Sequence, residues 1–111
     1  MITTLQRKTR KIIKSLNERG ISCPVLLRVT DYLAFRIKQI NNSFFEAIKE
    51  IGYKGDYKGV FPVKVNQQAQ VIDRIVEFGK EFDFGLEVGS KPELLIALAH
   101  DLSSNSTIIC N

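Results

Sequence analysis

Two side chains in this sequence could do chemistry together, Lys64 and Glu87. Lys64 stands inside the apolar, β-rich run Gly59-Val-Phe-Pro-Val-Lys-Val-Asn-Gln67. Strand side chains alternate between two faces. As a strand, this run places Phe61, Val63 and Val65 on one face and Val60, Pro62, Lys64 and Asn66 on the other. Buried on both faces, it would aim Lys64 into an interior. Burial disfavours the ammonium and lowers its pKa. A neutral amine is what a Schiff-base lysine needs. The plainer alternative is a lysine on a solvent-facing edge, or one whose stem snorkels over apolar neighbours.

Glu87 lies in Phe82-Asp-Phe-Gly-Leu-Glu-Val-Gly89. Alternation gives one face to Gly85, Glu87 and Gly89 and the other to Phe84, Leu86 and Val88. The two glycines are expected to leave open volume beside the carboxylate, where a packed core would carry Val, Ile or Leu. Lys64 and Glu87 both fall near the C-terminal ends of successive strands. An inward amine, an inward acid and space between them suggest a ligand site. The alternative is a buried ion pair with a structural role, and such pairs are seldom a net source of stability.

The elements that must hold these groups can be read along the chain. Residues 3–19 read as a helix with a thin stripe of Leu5, Ile12, Ile13 and Leu16, stopped at Gly20. Ser22-Cys-Pro-Val-Leu-Leu-Arg-Val29 reads as a buried strand, and Thr30 or Asp31 offers an N-cap. Leu33, Ile37, Ile40, Phe44, Ile48 and Ile51 then mark one face of a long helix ended by Gly52. A polar connection over 53–58 leads to the Lys64 strand. Gln67 to Phe78 reads as a helix with Val71, Ile72, Ile75 and Val76 inward. After the Glu87 strand, Ser90-Lys-Pro-Glu93 matches a capping box, with Glu93 reaching back to the Ser90 amide. Its helix is strongly apolar. A polar loop over 101–106 precedes a last strand beginning at Thr107.

Strands alternating with helices imply a parallel sheet with right-handed crossovers. No G-x-G-x-x-G or G-x-x-x-x-G-K-[ST] loop is present, so a dinucleotide or nucleotide-phosphate fold loses its main support. The expected fold class is α/β, the first part of a (β/α)8 barrel. It would hold about three βα units and a truncated fourth strand, with a helix in front. A full barrel takes ~250 residues, and chemistry sits at the C-terminal ends of its strands. The chain has 111 residues.

Composition sets the remaining bounds. Hydrophobic content of 44% with 25% charged residues fits a globular protein. The net charge of +4 comes largely from Arg7, Lys8, Arg10, Lys11, Lys14 and Arg19. No aromatic residues interleave with them, which favours a solvated helix face over a nucleic-acid surface. Cys23 and Cys110 belong to no CxxC or metal-ligand cluster, so no metal site is expected from them. They point to a reducing, cytoplasmic compartment. There is no signal-peptide pattern and no apolar run of membrane-spanning length.

Phe61-Pro-Val-Lys-Val-Asn66 resembles the cofactor-lysine signature of the fold-type III decarboxylases that use pyridoxal 5′-phosphate (PLP), which share an alanine racemase-like barrel. Gly59-Val-Phe-Pro-Val-Lys-Val-Asn-Gln-Gln68, Gly85-Leu-Glu-Val-Gly-Ser-Lys-Pro-Glu-Leu-Leu95, Ile108-Ile-Cys-Asn111 and Pro24-Val-Leu-Leu-Arg28 narrow it to the biosynthetic arginine decarboxylase branch. The resemblance runs from about Cys23 onward. It implies a helix over 1–22 preceding the barrel and a partial PLP-binding barrel domain over 23–111. It implies that Lys64 is the catalytic, cofactor-binding residue that forms the internal aldimine, with Glu87 beside the cofactor. The implied activity turns L-arginine into agmatine and CO2 for polyamine and spermidine synthesis. Mg2+ is added as a candidate cofactor, and the parent enzyme is expected to be a cytoplasmic homo-oligomer with shared active sites, without nucleic-acid or membrane partners. His100 is not the family's ring-stacking histidine, nor is Cys110 its catalytic cysteine. The phosphate loop, the pyridine-nitrogen partner and the substrate-recognition residues match nothing here, so this chain alone is expected to be inactive. Two alternatives stay open: a non-catalytic, decarboxylase-like piece that associates with a partner, and another fold-type III enzyme such as a diaminopimelate or ornithine decarboxylase.

Overall fold

The computed structural model describes residues 3–111, the Leu5 side chain excepted; that side chain, part of the stripe expected in the first helix, lies outside the described residues. The described residues form an α/β arrangement of four helices and a three-stranded parallel sheet. Helix α1 spans Thr4–Glu18, α2 Asp31–Ile51, α3 Ala69–Gly79 and α4 Lys91–Leu98. Strands β1 (Val60–Pro62), β2 (Gly85–Val88) and β3 (Ile108–Cys110) lie side by side in that order. In register, Phe61 faces Leu86, and Leu86 faces Ile108.

The core sits between the sheet and helices α3 and α4. Val63, Ile72, Val76, Leu86, Val88 and Ala97 form one buried cluster, with Phe61, Leu94, Ile96, Leu102 and Ile108 packed against it. The 3.6-residue spacing of Ile72, Ile75 and Val76 explains why α3 forms here: all three are buried on one face. Helix α1 begins with a reciprocal capping box between Thr3 and Gln6, and Gly52 ends α2 in the left-handed conformation (φ 64°) that favours glycine.

Three expectations need correction. Residues 22–29 form no strand. Their apolar side chains stay in the open, with Leu26 73% exposed. Arg28 instead donates to Gln68 Oε1 at 2.9 Å, tying the segment to the start of α3 and not to the edge of β1. A β-rich run becomes a strand only where a partner ladder meets it. The stripe on α2 is buried only in part: Ile37 is buried, while Ile40, Phe44 and Ile51 are exposed. α2 packs on α3, and the other buried residue of α2 is a polar one, Asn41. The Lys64 strand is also shorter than expected. It ends at Pro62, and Val63–Val65 turn into a 3-10 helix, so strict alternation stops before Lys64.

Candidate active site

The site is built at the C-terminal edge of the sheet. Val63 follows β1 directly and is fully buried in the core cluster. It anchors the 3-10 turn, and the next side chain, Lys64, leaves toward solvent. Val65, expected on the buried face, is 71% exposed for the same reason. On the neighbouring strand Leu86 and Val88 enter the core. Alternation then sends Glu87 to the opposite face, where it is held level with Pro62 in the parallel register.

Lys64 Nζ donates to Glu87 Oε1 at 2.8 Å. The two side chains are 49% and 19% exposed. Both sequence-predicted site residues are thus brought together, but not in an interior. The lysine pKa is correspondingly not depressed. The hydrogen bond to Glu87 and its charge raise it above the usual lysine value, with desolvation a smaller opposing effect. Glu87 is held below the usual carboxylate range by its hydrogen bonds from Lys64 and then Asn111. The proton therefore rests on Nζ, and the pair is an ammonium–carboxylate pair.

The glycines beside Glu87 do not make open volume in the way their small size suggested. A Cβ on Gly85 would meet the Thr107 carbonyl oxygen at 2.0 Å. Gly85 is small because the chain leading into β3 passes against it. Gly89 lies in a crease, where a Cβ would come within 3.1 Å of the Asn111 carbonyl oxygen, 3.6 Å of Glu93 Oε2 and 4.0 Å of Lys64 Cδ. Next to that crease is a hollow of about 350 Å³ lined by Val88, Gly89, Ser90, Lys91, Leu94, Cys110 and Asn111.

Two further residues shape the site, and sequence reasoning had assigned neither to it. Asn111 Nδ2 donates to Glu87 Oε1 at 3.0 Å, alongside the lysine. Its position at the end of the Ile-Ile-Cys-Asn string was the available signal. Glu93, expected to close a capping box on the Ser90 amide, accepts from the Gly89 amide instead, at 2.6 Å. Ser90 Oγ does cap the helix by accepting from Glu93 N at 3.4 Å. The negative charge of Glu93 also favours the Lys64 ammonium.

The other candidates lie elsewhere. His100 bridges α4 and α3: Nδ1 sits 2.7 Å from the Ile96 carbonyl oxygen and Nε2 3.1 Å from Asp73 Oδ1. Cys23 and Cys110 are free and exposed. Among the described residues no three His, Cys, Asp or Glu side chains gather as a metal ion would require, and no helix is long and apolar enough to cross a membrane.

Fold and site together define an α/β protein that presents an amine, paired with an acid, at the C-terminal edge of a parallel sheet. The chain belongs to the pyridoxal-dependent decarboxylases: the family's pyridoxal binding domain matches residues 37–111. It is 53% identical over 100 residues to the biosynthetic arginine decarboxylase of Gloeobacter violaceus, a match covering 90% of this chain and 16% of the relative. It is 52% identical over 101 residues to the enzyme of that name from Prochlorococcus marinus strain MIT 9312, covering 91% and 16%. The crystal structure of the biosynthetic arginine decarboxylase of Campylobacter jejuni is similar in fold, with a TM-score of 0.85 and 39% identity over 92% of this chain and 17% of that one. The chain spans about one sixth of the length of these relatives.

Proposed function

We propose that this chain is the opening part of a PLP-binding barrel in an arginine decarboxylase, with Lys64 as the lysine that carries the cofactor. Residues 1–22 form the segment before that barrel, and 23–111 begin it. The observation that carries the reading is the placement of Lys64. Its Nζ is reachable at the C-terminal edge of the sheet, 2.8 Å from Glu87 Oε1, within a chain 53% identical to a biosynthetic arginine decarboxylase.

The residues present fit the group in part. The exposed Lys64 side chain borders the Gly89 crease, its Cδ 4.0 Å from where a Gly89 Cβ would lie, and a hollow lies next to that crease. When bound, PLP supplies an aldehyde to the amine and a ring that takes up the electron pair released with CO2. Lys64 is held as an ammonium by Glu87 and must give up a proton from Nζ before it can act as a nucleophile. Glu87 orients that amine, and its single negative charge keeps the rest state ionic. Mg2+ rests on the resemblance alone. L-arginine as substrate is supported by the names of the relatives; a homo-oligomer with shared sites and a cytoplasmic setting without nucleic acid or membrane are parts of the same proposal and rest on the resemblance alone.

In the enzyme that carries this segment, borohydride reduction followed by peptide mapping is expected to find the cofactor on Lys64. Agmatine release is expected to be lost in Lys64→Ala. Cofactor mapped to another lysine, or undiminished agmatine release in the variant, overturns the reading.

A second reading is that the chain is a non-catalytic piece that associates with a partner. The bare apolar side chains of Leu26, Ile51 and Leu95, each at least 69% exposed, favour it. Size-exclusion chromatography of the chain distinguishes them: a stable monomer argues against association.

A further inference from the structure

We propose that Asn111 is a positioning residue for Lys64: from the end of β3 its side-chain amide pins the Glu87 carboxylate so that Oε1 faces the lysine amine. This rests on the reading of Lys64 as the cofactor-carrying residue. The geometry is a three-strand relay. Lys64 follows β1, Glu87 sits in β2 and Asn111 follows β3. Lys64 Nζ and Asn111 Nδ2 donate to the same oxygen, at 2.8 and 3.0 Å.

Asn111 is itself fixed. Its backbone N–H donates to the Val88 carbonyl at 2.9 Å, which extends the parallel ladder set by the pairing of Val88 with Cys110. Glu87 has rotatable bonds of its own, and a Lys64 amine taken up covalently would offer it fewer N–H donors. Asn111 would still donate to Oε1. An amide suits the task chemically. It donates without carrying charge, so it orients the carboxylate without neutralising it. A lysine or arginine at the same place would compete with Lys64 for the anion. The depressed Glu87 pKa, caused first by Lys64 and then by Asn111, agrees with this arrangement.

The test is an NMR titration of the full chain. The Asn111 side-chain amide signals are expected to shift with the same midpoint as the Glu87 carboxyl carbon. In Lys64→Met that co-titration is expected to persist, with the midpoint moved upward. In Asn111→Ala the Glu87 midpoint is expected to rise and its side-chain couplings to average over rotamers, while the backbone spectrum away from the C-terminal residues stays unchanged. Asn111 amide signals that stay still through the Glu87 transition overturn the proposal. So does an Asn111→Ala variant whose Glu87 midpoint and couplings match the parent. If the borohydride adduct lies elsewhere while the co-titration holds, the cofactor role of Lys64 falls and the contact of Asn111 with Glu87 stands.

Discussion

Lys64 and Glu87 meet across adjacent parallel strands, Nζ to Oε1 at 2.8 Å, although 23 residues separate them in sequence. The register that pairs Pro62 with Glu87 makes the contact. The 3-10 turn after Pro62 shortens the path, so Lys64 reaches sideways over the strand end where a fully extended chain would carry it past.

The first prediction concerns pH. Glu87 has a folded pKa below its ordinary 4.5, so the pair's contribution is present above pH 4.5 and is lost as pH falls through the lowered value. Lys64 has a folded pKa above its ordinary 10.5, so the contribution is intact below 10.5 and is lost as pH rises through the raised value. Urea midpoints of the parent and of Glu87→Gln should differ most between those limits and converge outside them. The difference should shrink in high salt, since the lysine end of the pair is exposed to solvent. A constant gap across the whole range would remove the ion pair as its cause.

Gly85→Ala should destabilise the sheet sharply. The new Cβ would lie 2.0 Å from the Thr107 carbonyl oxygen, which is backbone and cannot swing aside. A loss of about 3 kcal/mol is expected, at the upper end of ordinary overpacking. Gly52→Ala is the control: nothing lies within 4 Å of its Cβ, but its φ is +64°, so about 1 kcal/mol is expected from backbone strain alone. Equal losses in the two variants would show that Thr107 yields.

The start of α4 offers a paired test. Ser90→Ala removes the oxygen that accepts from Glu93 N and should cost about 1 kcal/mol. Glu93→Ala removes the acceptor of the Gly89 amide and should cost about 2 kcal/mol, because that hydrogen bond is charge-assisted. Thermal or urea unfolding measures both. Because Glu93 also favours the Lys64 ammonium, Glu93→Ala should lower the Lys64 pKa as read by NMR, while Ser90→Ala should leave it in place.

Asn41→Leu should stabilise the chain. Asn41 is fully buried. Its Nδ2 donates to the Ile37 carbonyl at 2.8 Å, while among the described residues Oδ1 has no hydrogen-bond partner. Leucine keeps the branched four-atom outline without the polar atoms and so removes that unsatisfied acceptor, a gain of about 1 kcal/mol. A loss in the urea midpoint would reveal a polar partner for Oδ1.

Some of this was written locally. The buried face of α3 follows from Ile72, Ile75 and Val76, since a 3.6-residue period needs no information from elsewhere in the chain. The Ser90 cap is equally local, because an N-cap reaches only three residues ahead. The chemistry of Lys64 and Glu87 was legible as a pair because both stand in short β-rich runs. Residues 22–29 were misleading because their Val and Leu content describes a preference for a pleated surface, and only a neighbouring ladder turns that preference into a strand.

By itself the sequence determined the residue types of the site, the alternation of strands and helices from β1 to β3, and the motifs that carry the family. Tertiary structure alone decided the charge state of Lys64. A strand lysine between apolar neighbours reads as buried and neutral, but the turn after Pro62 puts it in reach of water and of Glu87, and an anion at hydrogen-bond distance outweighs desolvation. It also decided why Gly85 is glycine and what Asn111 does. Both answers depend on β3 lying beside β2, a contact between segments some twenty residues apart that no local pattern encodes.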